Sequence, residues 1–397
     1  MAAALSIPLA RWADRRIEVL ADETAAAAIA ALDGTTLLGE RGSNGGYRVP
    51  GHVSAGIGGS RLMPTRDGGW FALTLIRKED RELLPALFAD AGLATDDDAA
   101  IAAAVLRNDC AGLVARGRSL GLPVASADEI PASAPVEVLA RGPRRDRPAD
   151  HVPLVVDLSA IWAGPLAGHL LWLAGADVVK VESPSRPDLI RRDDPATFDI
   201  INQGKASALV DLDCEAEREA LVALIRRADF VIESSRPRAL RHFGIDADAL
   251  VRETLGLVWL TVTGHGARGE PAHWTGIGND CGVAGGLSRA LADAAGEIGY
   301  VGDAIADPLT GITAALEGWR AHARGEACRI GFAMSAIVAS ALDEERTFDP
   351  LLLEAELRAW AAAVGELFPA VPRRRLAAPV RDLGADTGRY LASLARC

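Results

Sequence analysis

Lysine is nearly absent from this chain. Among its 397 residues only Lys78, Lys180 and Lys205 are lysines, arginine supplies the rest of the 42 basic side chains, and 54 acidic ones leave a formal net charge of -12. Such a balance argues against nucleic acid or an anionic membrane surface as the main partner, so a polyanionic ligand would need a local basic pocket. Long apolar runs are missing too, and nothing approaches the roughly 18 unbroken apolar residues of a membrane span. The five cysteines, Cys110, Cys214, Cys281, Cys328 and Cys397, show none of the paired spacings of zinc or redox sites and read as reduced thiols. No histidine lies in H-E-x-x-H and no serine in G-x-S-x-G, which removes the main support for metallohydrolase and serine hydrolase chemistry and leaves no metal expected. Arg11, Asp14, Arg15 and Arg16 come too early for the apolar core of a secretory signal, so a cytoplasmic location is expected.

The length is about twice the usual 100 to 200 residues of a domain and predicts two. Residues 1–140 carry a Gly-rich stretch from Gly39 to Ser60, a strand-like run from Trp70 to Ile76, and helical patterns around 79–91 and 97–120, which predicts a small α+β domain. Residues 141–151, charged and twice broken by proline, read as a linker. From Val152 to about 345, strand-like runs at 152–158, 177–182, 206–212, 229–233 and 257–263 alternate with helical ones. That alternation predicts right-handed crossovers and an α/β domain, a mainly parallel sheet with helices on both faces. Ligands in such sheets collect at the carboxyl ends of the strands. Residues 346–397 predict a helical return to this larger domain.

Three features could carry chemistry, each with a plainer reading beside it. Gly264-His-Gly-Ala-Arg-Gly269 matches a dinucleotide fingerprint, but Glu270-Pro271 is no helix start, so the segment reads as a loop. Arg186, Arg191, Arg192, Lys205, Arg236, Arg238 and Arg241 could hold phosphates of a nucleotide or of coenzyme A, or form a solvated surface. Asp307, in Ile305-Ala-Asp-Pro-Leu-Thr-Gly311, could cap the following helix or present a nucleophilic carboxylate, with Asp303 as the nearby competitor.

Five ordered segments then resemble one family. Asp157-Leu-Ser-Ala-Ile-Trp-Ala-Gly-Pro165, Leu173-Ala-Gly-Ala-Asp-Val-Val-Lys-Val-Glu182, Asn202-Gln-Gly-Lys-Ala-Ser-Ala-Leu-Val-Asp-Leu212, Ala228-Asp-Phe-Val-Ile-Glu-Ser-Ser-Arg-Pro237 and the Asp307 segment are similar to the class III coenzyme A transferases, of the formyl-CoA and carnitine CoA-transferase type. The resemblance implies a Rossmann-like large domain and a small domain. The parts resembling the small domain precede the large one here, as in a circular permutation. It implies Asp307 as the catalytic aspartate, Ile161, Trp162, Ala163, Lys205, Ser234, Ser235, Arg236 and His242 along the CoA site, and a covering glycine loop at Gly56, Gly58 and Gly59. It also implies acyl-CoA and a carboxylic acid acceptor as substrates, no permanently bound cofactor, and a homodimer. Ser234-Ser235, His242 and Gly325-Glu-Ala-Cys328 depart from the family's pattern. An alternative is therefore a non-catalytic or partner-dependent CoA-binding protein. An acyl-CoA racemase, the remaining family activity, would need a histidine where Gly276-Ile277-Gly278 stands.

Overall fold

The computed structural model describes residues 5–56, 59–148, 150–235 and 239–391, with Lys78 described by its backbone alone. Among the described residues, ten strands form two sheets. The strands are β1 (Arg61–Pro64), β2 (Trp70–Leu73), β3 (Val124–Ser126), β4 (Val136–Gly142), β5 (Leu154–Asp157), β6 (Asp177–Glu182), β7 (Ala206–Leu209), β8 (Phe230–Glu233), β9 (Val258–Thr263) and β10 (Ala327–Ala333). β1, β2 and β3 pair antiparallel. The other seven form one sheet in the order β4-β10-β9-β8-β5-β6-β7, parallel throughout except for β4 on its edge.

The runs predicted at 152–158, 177–182, 206–212, 229–233 and 257–263 all become strands of this sheet. Their Val- and Ile-rich, uninterrupted character fits strands covered on both faces. From β5 the chain builds outward to β6 and β7, then returns to place β8 on the other side of β5. The crevice beyond the carboxyl ends of β5 and β8 is therefore the topological switch point where open α/β sheets bind ligands.

The domain boundary predicted at the 141–151 linker is corrected. β4 pairs antiparallel with β10, so the segment before 151 already belongs to the large sheet. The helices Ala10–Thr24 and Gly34–Asn44 also bury Trp12, Ile17, Leu20, Leu37 and Leu38 in the same core as Leu166, Leu309 and Ile312 of the sheet unit. The small α+β unit with its own core, including Phe71, Leu73, Leu87, Ile101, Leu113 and Val124, is narrower than predicted. Leu62, Ala72 and Ala125 of that unit pack on Val283 and Tyr300. At the other end, the Asp386 carboxylate accepts the Ser207 amide and the Thr387 hydroxyl accepts the Leu209 amide, docking the C-terminal segment on the edge of β7. Among the described residues, no helix is long and apolar enough to cross a membrane. Cys110, Cys281 and Cys328 are free thiols, whereas Cys214 is disulfide-bonded, against the reading of all five as reduced.

Candidate active site

Asp307 sits in the first turn of the helix Ala306–Ala323, whose N-cap is Ile305, so the capping role open to it in the sequence is not the one it takes. Its carboxylate instead lies close enough to the backbone amides of Ala163 and Gly278 for them to hold its pKa down, and each is the first residue of its own helix, Ala163–Leu173 and Gly278–Ala284. Three helix N-termini thus converge on one carboxylate, an arrangement whose dipoles and free amides favour negative charge. Burial works against them. Asp307 is only 6% exposed, and its carboxyl is pushed up to about 7 by loss of solvent. The Arg41 guanidinium and the two amides pull it down, while Asp303 adds to the rise. Burial thus leaves Asp307 only partly ionised at neutral pH.

Gly278 makes this geometry possible. A Cβ there would lie 1.9 Å from the Asp307 Oδ2 and 2.6 Å from the Ala304 carbonyl oxygen. Position 278 must be bare for the carboxylate to stand where it does.

Asp307 borders two cavities. The first, about 120 Å³, lies beyond the carboxyl ends of the central strands and is lined by Ala160, Ile161, Ser234, Ser235, Trp274, Thr275 and Met334 among others. The buried hydroxyls of Ser235 and Thr275 have no hydrogen-bond partner among the described residues, so this cavity offers polar groups to an occupant. Ala160 and Ser235 also line a further cleft of about 180 Å³, together with Arg186 and Phe243. The second cavity bordering Asp307, about 80 Å³, is lined by Arg41, Thr74, Ile76, Ile161, Trp162, Asp193, Asp194, Asn279 and Ala304, among others. A larger groove, about 890 Å³, lies away from Asp307 and is lined by Asp67, Asp128, Glu129 and Glu270 with Arg118, a poor match for phosphates.

Of the residues placed along the CoA site, Ile161 and Ala163 line the first cavity beside Asp307, and Ile161 and Trp162 the second. Ile161 adopts φ 71°, unusual for a β-branched residue, and its amide donates to Asp188 at 3.1 Å. Such strain costs about 1–3 kcal/mol and persists only where the surroundings hold it. Ser234 accepts the Ala160 amide at 3.1 Å, and both serines line the first cavity. His242 is exposed and lines neither cavity at Asp307. Gly56 and Gly59 line neither cavity, although Gly59 packs against the Leu75 carbonyl, between the cavity residues Thr74 and Ile76. Gly58 and Arg236 lie outside the described residues, as does Arg238. Arg191, Arg192 and Arg241 are committed to Glu182, Asp193 and Asp248, which leaves Arg186 as the described arginine of that cluster that lines the cleft. Asp303 is fully buried and pairs with Arg41 at 2.9 Å, so it acts as a counter-ion and not as a rival nucleophile.

Lys205 is corrected outright. Its ammonium donates to Asp157 Oδ2 and the Pro165 carbonyl, each at 2.8 Å, and to Asn202 Oδ1 at 3.0 Å, inside the protein. All three donors are used, so none is left for a phosphate. Lys180 is likewise buried, donating to the Ser159 carbonyl and pairing with Asp188, each at 2.9 Å. Lys205→Met is accordingly expected to cost about 3–5 kcal/mol, because Asp157 would be left as an unpaired buried charge. Denaturant unfolding checks this, and a loss below ~1 kcal/mol would remove the structural assignment.

Arg41 is the site residue that sequence reading missed. It projects from the helix Gly34–Asn44, donates from Nε to Asp194 at 3.1 Å and from Nη1 to Asp303 at 2.9 Å, and lies 5.5 Å from the Trp162 ring. His265, Asp280 and Cys281 also gather, with atoms that could hold a metal ion lying within 4.8 Å of one another. Asp280 there accepts the Ile277 amide that begins the Gly278–Ala284 helix, and burial takes its carboxyl up to about 8.

Residues 153–348 match the model for CoA-transferase family III. The chain is 30% identical over 205 residues to the succinate–glutarate CoA-transferase of Agrobacterium fabrum, covering 47% of this chain and 51% of that protein. It is 35% identical over 123 residues to the succinyl-CoA:mesaconate CoA-transferase of Haloarcula hispanica, 28% of this chain and 31% of that protein. The chain thus spans about half, or less, of these curated relatives. Among solved structures, a hypothetical protein from Mycobacterium tuberculosis matches with 27% identity and a TM-score of 0.45 over 52% of this chain and 60% of that one. The matched residues include Asp307 and the whole lining of the first cavity, whereas Thr74 and Ile76 of the second lie outside them. Arg41 lies outside the matched residues.

Proposed function

We propose that this protein moves coenzyme A between carboxylic acids, with Asp307 as the nucleophile. The observation that carries the reading is a buried carboxylate, held at three helix N-termini, that borders a cavity on each side at the switch point of the sheet. The cleft with Arg186 and the adjoining first cavity take the nucleotide and pantetheine parts of CoA. The acyl group then lies on the far side of Asp307.

An Asp307 oxygen attacks the thioester carbonyl, the C–S bond breaks, and an aspartyl anhydride and CoA thiolate result. The thiolate attacks the Asp307 acyl carbon, releasing the donor acid and leaving an aspartyl-CoA thioester. An acceptor carboxylate attacks that thioester, and the thiolate, returning to the new acyl group, frees Asp307. Water must be excluded throughout, or the anhydride hydrolyses. Burial of Asp307 serves that need and also desolvates the attacking oxygen. The Agrobacterium and Haloarcula proteins are named for short organic acids, and a short acid is the class proposed for this chain. The reading carries with it a homodimer, testable by light scattering, a circularly permuted order of units, and a cytoplasmic location.

Single-turnover thiol release from an acyl-CoA tests the nucleophile. The ionised carboxylate attacks, so the rate should rise tenfold per pH unit below about 7 and level off above it. A flat profile from pH 5 to 8 would count against a carboxylate nucleophile in this environment. CoA binding without thiol release at any pH would favour the non-catalytic alternative.

A further inference from the structure

We infer that the acyl cavity accepts a short acyl chain that carries no second carboxylate. This rests on the reading of Asp307 as nucleophile, which fixes the roles of the two cavities. The cavity holding Arg41 measures about 80 Å³, room for on the order of three methylene-sized groups if each needs about the 30 Å³ of a water molecule in the liquid.

Its charge is the stronger constraint. Among the described residues, Arg41 is the cation on the cavity wall, and its Nε and Nη1 already serve Asp194 and Asp303. The Asp303 Oδ2 is buried without a donor among the described residues, so that carboxylate is already undercompensated. Asp193, also on the wall, is matched by Arg192 at 2.6 Å. With that pair set aside, one guanidinium faces the carboxylates of Asp194 and Asp303, the latter pushed up to about 6 by burial, and that of Asp307 whenever it is ionised. A substrate's distal carboxylate would enter a desolvated space that is already negative, where repulsion between like charges is strong. A methyl terminus meets Ile76, Ile161, Ile190 and the Trp162 ring instead.

Butyryl-CoA and succinyl-CoA, equal in carbon count, separate the possibilities. With the full-length protein, kcat/KM for butyryl-CoA is expected to exceed that for succinyl-CoA at least about 20-fold, and Asp194→Asn should narrow the gap several-fold by improving the succinyl ester. Octanoyl-CoA should fall at least about 10-fold below butyryl-CoA. Succinyl-CoA used as well as, or better than, butyryl-CoA would overturn the inference and leave Asp307 untouched. Calorimetric binding of the two esters to Asp307→Asn protein gives the same comparison without turnover, and equal or tighter binding of the succinyl ester would again overturn it. Loss of transfer from every ester in the wild-type protein would instead defeat the nucleophile assignment.

Discussion

Asp307→Asn should leave a folded protein whose transfer activity is at least about 10³-fold lower, because the substitution removes the bond-forming oxygen anion and not merely a contact. The same variant should be more stable at high pH. In the folded protein burial raises the Asp307 carboxyl from 3.8 to about 7, so the folded state holds that proton more tightly than the unfolded one. Stability therefore falls as pH climbs through this window. Asparagine, which never ionises, escapes that loss. Above pH 7 the variant should gain on the order of a few kcal/mol over the wild type, and near pH 4 the gain should vanish. Denaturant midpoints at the two pH values check the sign. A variant that is inactive and equally destabilised at both would point to misfolding instead.

Gly278→Ala should be the most damaging single-methyl change in the site. The added carbon would have to stand 1.9 Å from the attacking oxygen and 2.8 Å from the Ala304 Cβ, so either the carboxylate turns away or the helix start shifts. Displacement of about 1 Å commonly costs about 10²-fold in rate, and overpacking of this kind about 1–3 kcal/mol in stability. Gly282→Ala in the same helix is the control. Its nearest neighbours would be 3.8 and 3.9 Å away, and the usual Gly-to-Ala gain of roughly 0.5–1 kcal/mol is expected with activity retained. Equal kinetics for the two variants would show that position 278 does not hold the nucleophile.

Much of the sheet was legible because its central strands are short Val- and Ile-rich runs bracketed by helical periodicity. β4 was not, since its side chains are half exposed and its end merges with the arginine-rich segment read as a linker. The switch-point serines and the Ile161 to Ala163 turn were legible through the order of segments. Arg41 was hidden for a packing reason. Gly39 and Gly42 gave its surroundings the look of a loop, yet both lie inside a helix, where a Cβ would strike Ile7 and the Phe368 ring at 2.4 and 2.7 Å. Glycine there permits close approach and marks no turn. Lys205 was placed along the CoA site by resemblance, but Lys180 and Lys205 are held in buried ion pairs that sequence cannot distinguish from ligand contacts.

The most direct measurement is peptide mapping after the protein is mixed with an acyl-CoA and quenched with hydroxylamine. The account predicts a hydroxamate on Asp307, in a peptide containing Pro308 and Leu309, absent without acyl-CoA and absent in Asp307→Asn. Transfer proceeding with position 307 unmodified, or an adduct on Asp303 or Asp280 in its place, would contradict it.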